Sequence, residues 1–173
     1  RDHIMVTAFS RRGLTAIVLF LALVIVGPAQ ATEENLNDDG LALHGYDPVS
    51  YFSADNPVLG LEKFNATHHG ALYLFASLEN RDRFVANPDK FAPQFGGYCA
   101  YGVRVGRKFD IDPDVYRVVD GKLYVQLNWG TQVIWLANMT ENIEVAHRLW
   151  PMIKPKSDQQ LAAAEKSETQ PEN

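Results

Sequence analysis

Alternation between apolar and polar positions predicts a β-hairpin followed by a helix in the first half of the chain. Two runs rich in aromatic and aliphatic residues, 62–68 and 71–76, flank His69-Gly70, and such runs around a glycine turn are typical of paired strands. Apolar residues then recur at near-helical spacing after Ser77, whose side chain is suited to cap the first turn of a helix. Asn87-Pro88 ends this helix, because proline disfavours helical geometry in the residue before it.

The second half of the chain predicts another hairpin and a longer helix. Asp120-Gly121 lies between two β-rich runs, 116–119 and 123–127, and this dipeptide is a strong signal for a type I′ turn. Residues 131–150 place apolar side chains at helical spacing, with an interruption near Asn138. We therefore predict one small α+β domain, in which a hairpin and helix are extended by a second hairpin and a C-terminal helix. No internal repeat is visible.

Shorter segments complete the expected order of elements. Residues 41–52 predict a turn followed by a short buried strand, and the alternation of Val103 and Val105 around Arg104 predicts extended chain. Asp112-Pro113-Asp114 predicts a turn. The C-terminal helix is expected to extend to Trp150, with Pro151 and Pro155 ending it.

The N-terminal segment, residues 1–31, is typical of a secretory signal peptide. Arg11-Arg12 precede an uncharged apolar run from Gly13 to Val26, and Ala29-Gln30-Ala31 fits a cleavage site. The run is short for a membrane span, which needs about 20 apolar residues. We expect cleavage and a periplasmic or otherwise extracytoplasmic protein; an uncleaved segment would be its membrane anchor.

Composition divides the rest of the chain into three parts. Residues 32–40 are polar and predict a loose leader, residues 41–153 predict the folded domain, and residues 154–173 predict a disordered tail, because they offer little apolar surface. The formal net charge of the whole chain is −5, and removal of residues 1–31 would make it −7. This acidic balance argues against a nucleic-acid partner, which would require a basic face. The oligomeric state is left open.

The only cysteine, Cys99, lies in the glycine- and tyrosine-rich stretch 95–102. Glycines in this stretch allow positive φ or the close approach of another group. A single cysteine cannot form an intrachain disulfide, so Cys99 is buried, a metal ligand, a reactive thiol or half of an intermolecular bridge.

Several motifs together resemble the YHS domain family. They are His69-Gly70-x-x-Tyr73-x-Phe75-x-Ser77-x-Glu79, followed by Phe84, Asn87-Pro88 and Phe91. The flanking stretches 45–52 and 96–102 resemble the longer, exported branch of this family in bacterial envelopes. The resemblance covers about residues 41–151 and implies a hairpin that leads into a helix. It also implies an exported protein of the bacterial envelope.

Shorter relatives in this family are associated with metal transport and are thought to bind metal through cysteines. This chain has Ser50 where such relatives have a cysteine after Asp-Pro-Val, and Phe75-Ala76-Ser77-Leu78-Glu79-Asn80 where they have Phe-Cys-Ser-x-x-Cys. The soft thiolate site that would select Zn(II) or Cu(I) is therefore absent from these positions.

Residues outside those positions provide two overlapping candidate sites. A transition metal ion could take ligands from histidine, aspartate and cysteine, and the candidates are His44, Asp47, His68, His69 and Cys99. His68 and His69 would point to opposite faces of a strand, but a turn could bring them together. A small ligand could bind an aromatic cleft formed by Tyr46, Asp47, Tyr98, Cys99 and Tyr101.

Three functions remain open at this stage. The first is a non-enzymatic envelope module that binds a metal ion or a small ligand. The second is a structural or interaction protein that has lost an ancestral metal site. The third is a thiol-dependent enzyme or redox protein using Cys99, although no histidine lies near Cys99 in the sequence to activate it. The interpretation of Cys99 as a buried residue is favoured.

Overall fold

The computed structural model describes residues 33–53 and 56–169. The predicted signal peptide, residues 1–31, and the end of the predicted tail, residues 170–173, lie outside the described residues. Within the described ranges, no helix combines the length and apolar character that crossing a membrane requires.

Two antiparallel hairpins and six helices follow one another along the described chain, which confirms the α+β class. The strands are β1 (Leu61–His68), β2 (Ala71–Phe75), β3 (Asp112–Val119) and β4 (Lys122–Gln126). The helices are α1 (Leu78–Ala86), α2 (Pro88–Phe91), α3 (Ala100–Arg104), α4 (Trp129–Ala137), α5 (Met139–Ile153) and α6 (Asp158–Thr169). Short 3₁₀ turns lie at Leu43–Gly45, Ser50–Phe52 and Gln94–Gly97.

The predicted turn and cap residues act as expected. The side chain of Ser77 accepts a hydrogen bond from the backbone N–H of Asn80, which caps α1. Asp120 and Gly121 have φ values of 50° and 72°, as a type I′ turn requires. Asn138 separates α4 from α5. However, α5 continues through Pro151 and ends at Ile153, before Pro155, so the predicted last residue, Trp150, is three residues too early.

The second hairpin and helix repeat the first at an offset of 51 residues. β3, β4 and α4 have the same lengths as β1, β2 and α1, and each begins 51 residues after its counterpart. The irregularity in the first hairpin, between Leu61 and Asn65, recurs in the second between Asp112 and Tyr116. The structure therefore contains an internal repeat, contrary to expectation. The repeat is not visible in the sequence, because the two units share strand register and helix caps rather than many identical residues.

Three local predictions are wrong, and polar side chains explain each. Residues 41–52 form 3₁₀ turns rather than a strand, since the Asp47 carboxylate accepts the N–H of Val49. The segment around Val103 is helical, since the Cys99 sulfur accepts the N–H of Gly102 at the start of α3. Asp112 begins β3 rather than a turn, and its carboxylate accepts the N–H of Asp114 within the irregular part of that strand.

Both segments outside the predicted domain are docked on it. Asn35 is buried, its N–H donates to the carbonyl of Gly96 at 2.7 Å, and its side chain donates to Asp110 at 2.9 Å. At the other end, Asp158 of α6 accepts two hydrogen bonds from the Arg107 guanidinium, at 2.8 and 2.6 Å. The predictions of a loose leader and a disordered tail are therefore wrong for residues 33–40 and 154–169.

The core forms two clusters, one beside each hairpin. The first packs the buried side chains of β2 against α1 and α2, with Tyr73, Phe75 and Phe84 at its centre. The second packs β4 against α4 and α5 around Tyr124 and Trp135, and Leu161 of α6 joins it. The β1–β2 turn and the segment before α3 line a common cavity.

Candidate functional site

One group of three side chains has the donor atoms of a metal site and is called here the His68 cluster: His68, His69 and Asp89. One ligand atom from each of the three lies within 4.8 Å of the others. Nε2 of His68 and Oδ1 of Asp89 are 3.2 Å apart. Nε2 of His68 is buried, and no group of the described residues satisfies it with good hydrogen-bond geometry. The Asp89 carboxylate therefore contacts this nitrogen mainly through charge.

The tight turn explains how two adjacent histidines face the same way. His68 ends β1, whereas His69 has left the strand and adopts a φ of 49°, followed by Gly70 at 81°. The alternation of side chains between opposite faces holds only within a strand, so the two imidazole centroids come within 3.9 Å. The open alternative of the sequence analysis, in which a turn brings both histidines together, is the one observed. Asp89 reaches them from the first turn of α2.

A cavity of about 240 Å³ adjoins the three side chains. Its wall includes acidic, imidazole, aromatic and amine groups in addition to the cluster itself. They are Glu34, Tyr73, Phe95, His147, Trp150 and Lys154. Five groups that commonly ligate metals therefore line one cavity, and among the described residues the ligand atoms of His68, His69 and Asp89 lie within 4.8 Å of one another.

The docked N-terminal segment carries Glu34 to this cavity. Gly96 allows the approach: it has a φ of 61°, and a Cβ on this residue would lie 2.3 Å from the carbonyl oxygen of Glu33. A side chain at position 96 would therefore push the segment away. Gly96 thus shows both properties expected of the glycines in the stretch 95–102, positive φ and the close approach of another group, and the group that approaches belongs to residues 33–35.

Burial alters the protonation of the groups around the cavity. The pKa of His68 lies below its ordinary value because burial and the neighbouring His69 disfavour the charged imidazole, against the attraction of Asp89. Burial likewise lowers the pKa of His147, with a smaller effect from Lys122. Burial raises the pKa of Glu34, although His69 opposes that shift. Neutral imidazoles, the form that binds metal, are favoured at neutral pH.

His44 and Asp47, the other predicted metal ligands besides Cys99, lie away from this cluster. Nε2 of His44 lies 2.8 Å from Oδ1 of Asp110 on the protein surface. Asp47 is fully buried, and its carboxylate accepts hydrogen bonds from the N–H of Ala76 at 2.9 Å and the side chain of Asn80 at 2.6 Å. The structure does not bring either residue to the cavity.

Asp47 lies among Ser50, Ala76 and Asn80, the three positions where this chain departs from the cysteine pattern described in the sequence analysis. Ala76 and Asn80 donate to its carboxylate, and the Ser50 hydroxyl donates to its backbone carbonyl at 2.6 Å. These three positions are thus neighbours in space. In this chain, hydrogen bonds to a buried carboxylate join them.

The predicted aromatic cleft around Cys99 is not assembled. Cys99 is completely buried; its thiol donates to Oε1 of Gln126 at 3.4 Å, and burial raises the pKa of the thiol. Tyr46 packs against the first core cluster, Tyr98 packs against the second with its ring centroid 6.3 Å from that of Trp150, and Tyr101 contacts both clusters. None of the five predicted residues lines the cavity beside His68, and the interpretation of Cys99 as a buried residue agrees with its position.

Asp89, Glu34 and His147 were not singled out as candidates by the sequence analysis. Asp89 lies at least 20 residues after the histidines, directly after Asn87-Pro88. In the sequence, a carboxylate at this position is explained as well by stabilisation of a helix N-terminus as by a role as a metal ligand. Glu34 lies in a segment without apolar periodicity. His147 lies on a helix whose pattern predicts only the core face.

No family model, curated protein or solved structure matches this chain.

Proposed function

We propose that this protein is a non-enzymatic binding module of the bacterial envelope that holds one divalent transition metal ion between His68, His69 and Asp89. The observation that carries the proposal is the set of three ligand atoms within 4.8 Å of one another at the edge of a cavity. The YHS resemblance and the predicted signal peptide support the envelope location. Membership of that family is part of the proposal.

The spacing of the cluster suits a small ion. Two ligands bound at about 2.0–2.1 Å to a tetrahedral Zn(II) ion are about 3.3 Å apart, close to the 3.2 Å between His68 Nε2 and Asp89 Oδ1. The third ligand atom belongs to the exposed imidazole of His69 and lies within 4.8 Å of the other two. Imidazole and carboxylate donors suit Zn(II), Co(II) and related divalent ions rather than Cu(I), which prefers thiolates.

The position of Cys99 favours this proposal over a thiol-dependent enzyme. Its side chain is completely buried, its thiol donates a hydrogen bond to Gln126, and burial raises the pKa of the thiol. A nucleophilic cysteine instead needs an accessible thiolate. A structural or interaction protein without a metal remains the competing function. If that function is correct, no metal ion binds His68, His69 and Asp89 in solution.

Metal titration of the protein purified without a histidine tag separates these functions. Isothermal calorimetry with Zn(II), together with elemental analysis, should give one ion per chain. His68→Ala and Asp89→Asn should each weaken Zn(II) binding by at least about 10-fold. Circular dichroism of each variant checks that the fold is retained.

His44→Ala is the matched control, because His44 and Asp110 form another histidine–carboxylate pair at 2.8 Å, away from the cavity. This variant should bind Zn(II) as tightly as the unmodified protein. Equal losses in His44→Ala and His68→Ala, or no Zn(II) binding by the unmodified protein, would refute the proposed site and favour a structural role.

A further inference from the structure

The cavity beside the His68 cluster extends well beyond the space that a metal ion occupies. Its volume of about 240 Å³ is several times the roughly 30 Å³ share of one water molecule in the liquid. Three protein ligands would also leave at least one coordination position of a tetrahedral ion open. An ion bound by His68, His69 and Asp89 would therefore present an open position beside a space large enough for a small organic molecule.

The wall away from the cluster is aromatic. Phe95 and Trp150 both line the cavity, with ring centroids 5.9 Å apart, and the imidazole of His147 lies 4.8 Å from the Phe95 ring. His147 is held in place by the Tyr124 hydroxyl, which lies 3.2 Å from its Nε2. Such a wall favours a planar ring, because aromatic faces and edges attract one another beyond the burial of apolar area.

The type of donor atom narrows the chemistry of the second molecule further. Charge alone does not decide it, because a divalent ion bound by Asp89 and two neutral imidazoles keeps a net positive charge. Zn(II) and Co(II) bind imidazole nitrogen well, whereas carboxylate and water oxygens are the donors that suit Mg(II), Ca(II) and Mn(II). A ring that offers a nitrogen lone pair therefore suits both the ion and the aromatic wall.

We propose that the bound ion takes a neutral nitrogen heterocycle of the imidazole class as its additional ligand, with the ring against Trp150. The ring nitrogen donates its lone pair to the open coordination position, and the ring plane occupies the aromatic part of the cavity. This inference rests on the metal binding proposed above. It assigns the cavity to a metal-bound small molecule rather than to the ion alone.

Cobalt(II) provides the probe, because its visible absorption changes when a ligand is added. The protein is first loaded with Co(II) and its stoichiometry is measured; imidazole is then titrated, with acetate in a parallel titration. Imidazole should shift the absorption bands with a saturable 1:1 curve, and acetate should bind more weakly. Trp150→Leu should weaken imidazole binding about 3- to 10-fold while Co(II) stoichiometry stays at one. Trp129→Leu, which alters a tryptophan that does not line the cavity, is the matched control.

The outcomes separate this inference from the metal site itself. Stoichiometric Co(II) without a spectral response to imidazole, or an imidazole affinity equal in Trp150→Leu and the unmodified protein, overturns the inference and leaves the metal site standing. Acetate binding that equals imidazole binding also overturns it. Absence of Co(II) binding removes both proposals.

Discussion

Replacement of Asp47 by alanine tests whether this carboxylate is a structural group rather than a metal ligand. It is fully buried and accepts hydrogen bonds from the N–H groups of Val49 and Ala76 and from the Asn80 side chain, at 2.8, 2.9 and 2.6 Å. Hydrogen bonds to charged groups contribute about 1.5–3 kcal/mol each, and removal of the acceptor leaves donors unsatisfied. Because the three share one carboxylate, their contributions do not add fully. We expect Asp47→Ala to lower the free energy of unfolding by about 3–5 kcal/mol.

Urea denaturation followed by circular dichroism measures this loss. With a slope of about 2 kcal/mol/M, the midpoint should fall by about 2 M. Asp47→Asn, which keeps one acceptor oxygen, should lose less. Asp89→Asn is the matched control: its side chain is 84% exposed, so the midpoint should hardly change while metal binding weakens. A loss below about 1 kcal/mol in Asp47→Ala, combined with loss of metal binding, would show that Asp47 is a ligand and refute its structural assignment.

Other substitutions test the docked segments. Glu34→Gln should raise the melting temperature of the metal-free protein, because burial raises the Glu34 pKa and its ionised form costs stability at neutral pH; a lower calorimetric melting temperature would contradict this. Leu161→Ala should cost about 2–3 kcal/mol, because Leu161 is buried where α6 docks; an unchanged urea midpoint would mean that α6 is not docked. Asp158→Asn should cost about 1 kcal/mol at neutral pH. Hydrogen bonds from Arg107 lower the pKa of Asp158 below its ordinary value of 3.8, so the ionised carboxylate stabilises the fold above pH 3.8 and this stabilisation is lost as the pH falls through the folded-state pKa. If Asp158→Asn lowered the free energy of unfolding equally at about pH 2 and at neutral pH, this reasoning would be contradicted.

Local signals in the sequence were sufficient for the hairpins and for the start of α1. The Asp120-Gly121 turn, the Ser77 cap and the break at Asn138 each depend on residues within a few positions of one another. Predictions based on periodicity alone were less reliable where a polar side chain redirected the backbone. Asp47 does this in the 3₁₀ turns, and Cys99 does it at the start of α3.

The candidate site could be predicted only in part. His68 and His69 were identified because they are adjacent at a predicted turn. The rest of the cavity wall depends on contacts between residues far apart in the sequence. The segment containing Glu34 docks against Gly96, and His147 reaches the cavity from α5. Local periodicity carries no information about such contacts. It also missed α6, whose position depends on the Arg107–Asp158 pair and on the buried side chain of Leu161.

X-ray absorption spectroscopy of the Zn(II)-loaded protein tests the proposed metal site most directly. Binding by His68, His69 and Asp89 predicts two imidazole nitrogens and at least one oxygen at about 2.0–2.2 Å, with no sulfur neighbour. His68→Ala should remove one imidazole contribution, while His44→Ala should leave the spectrum unchanged. A sulfur neighbour at about 2.3 Å would identify Cys99 as a ligand, and a shell of oxygen alone would place the ion elsewhere; either result would contradict the proposed site.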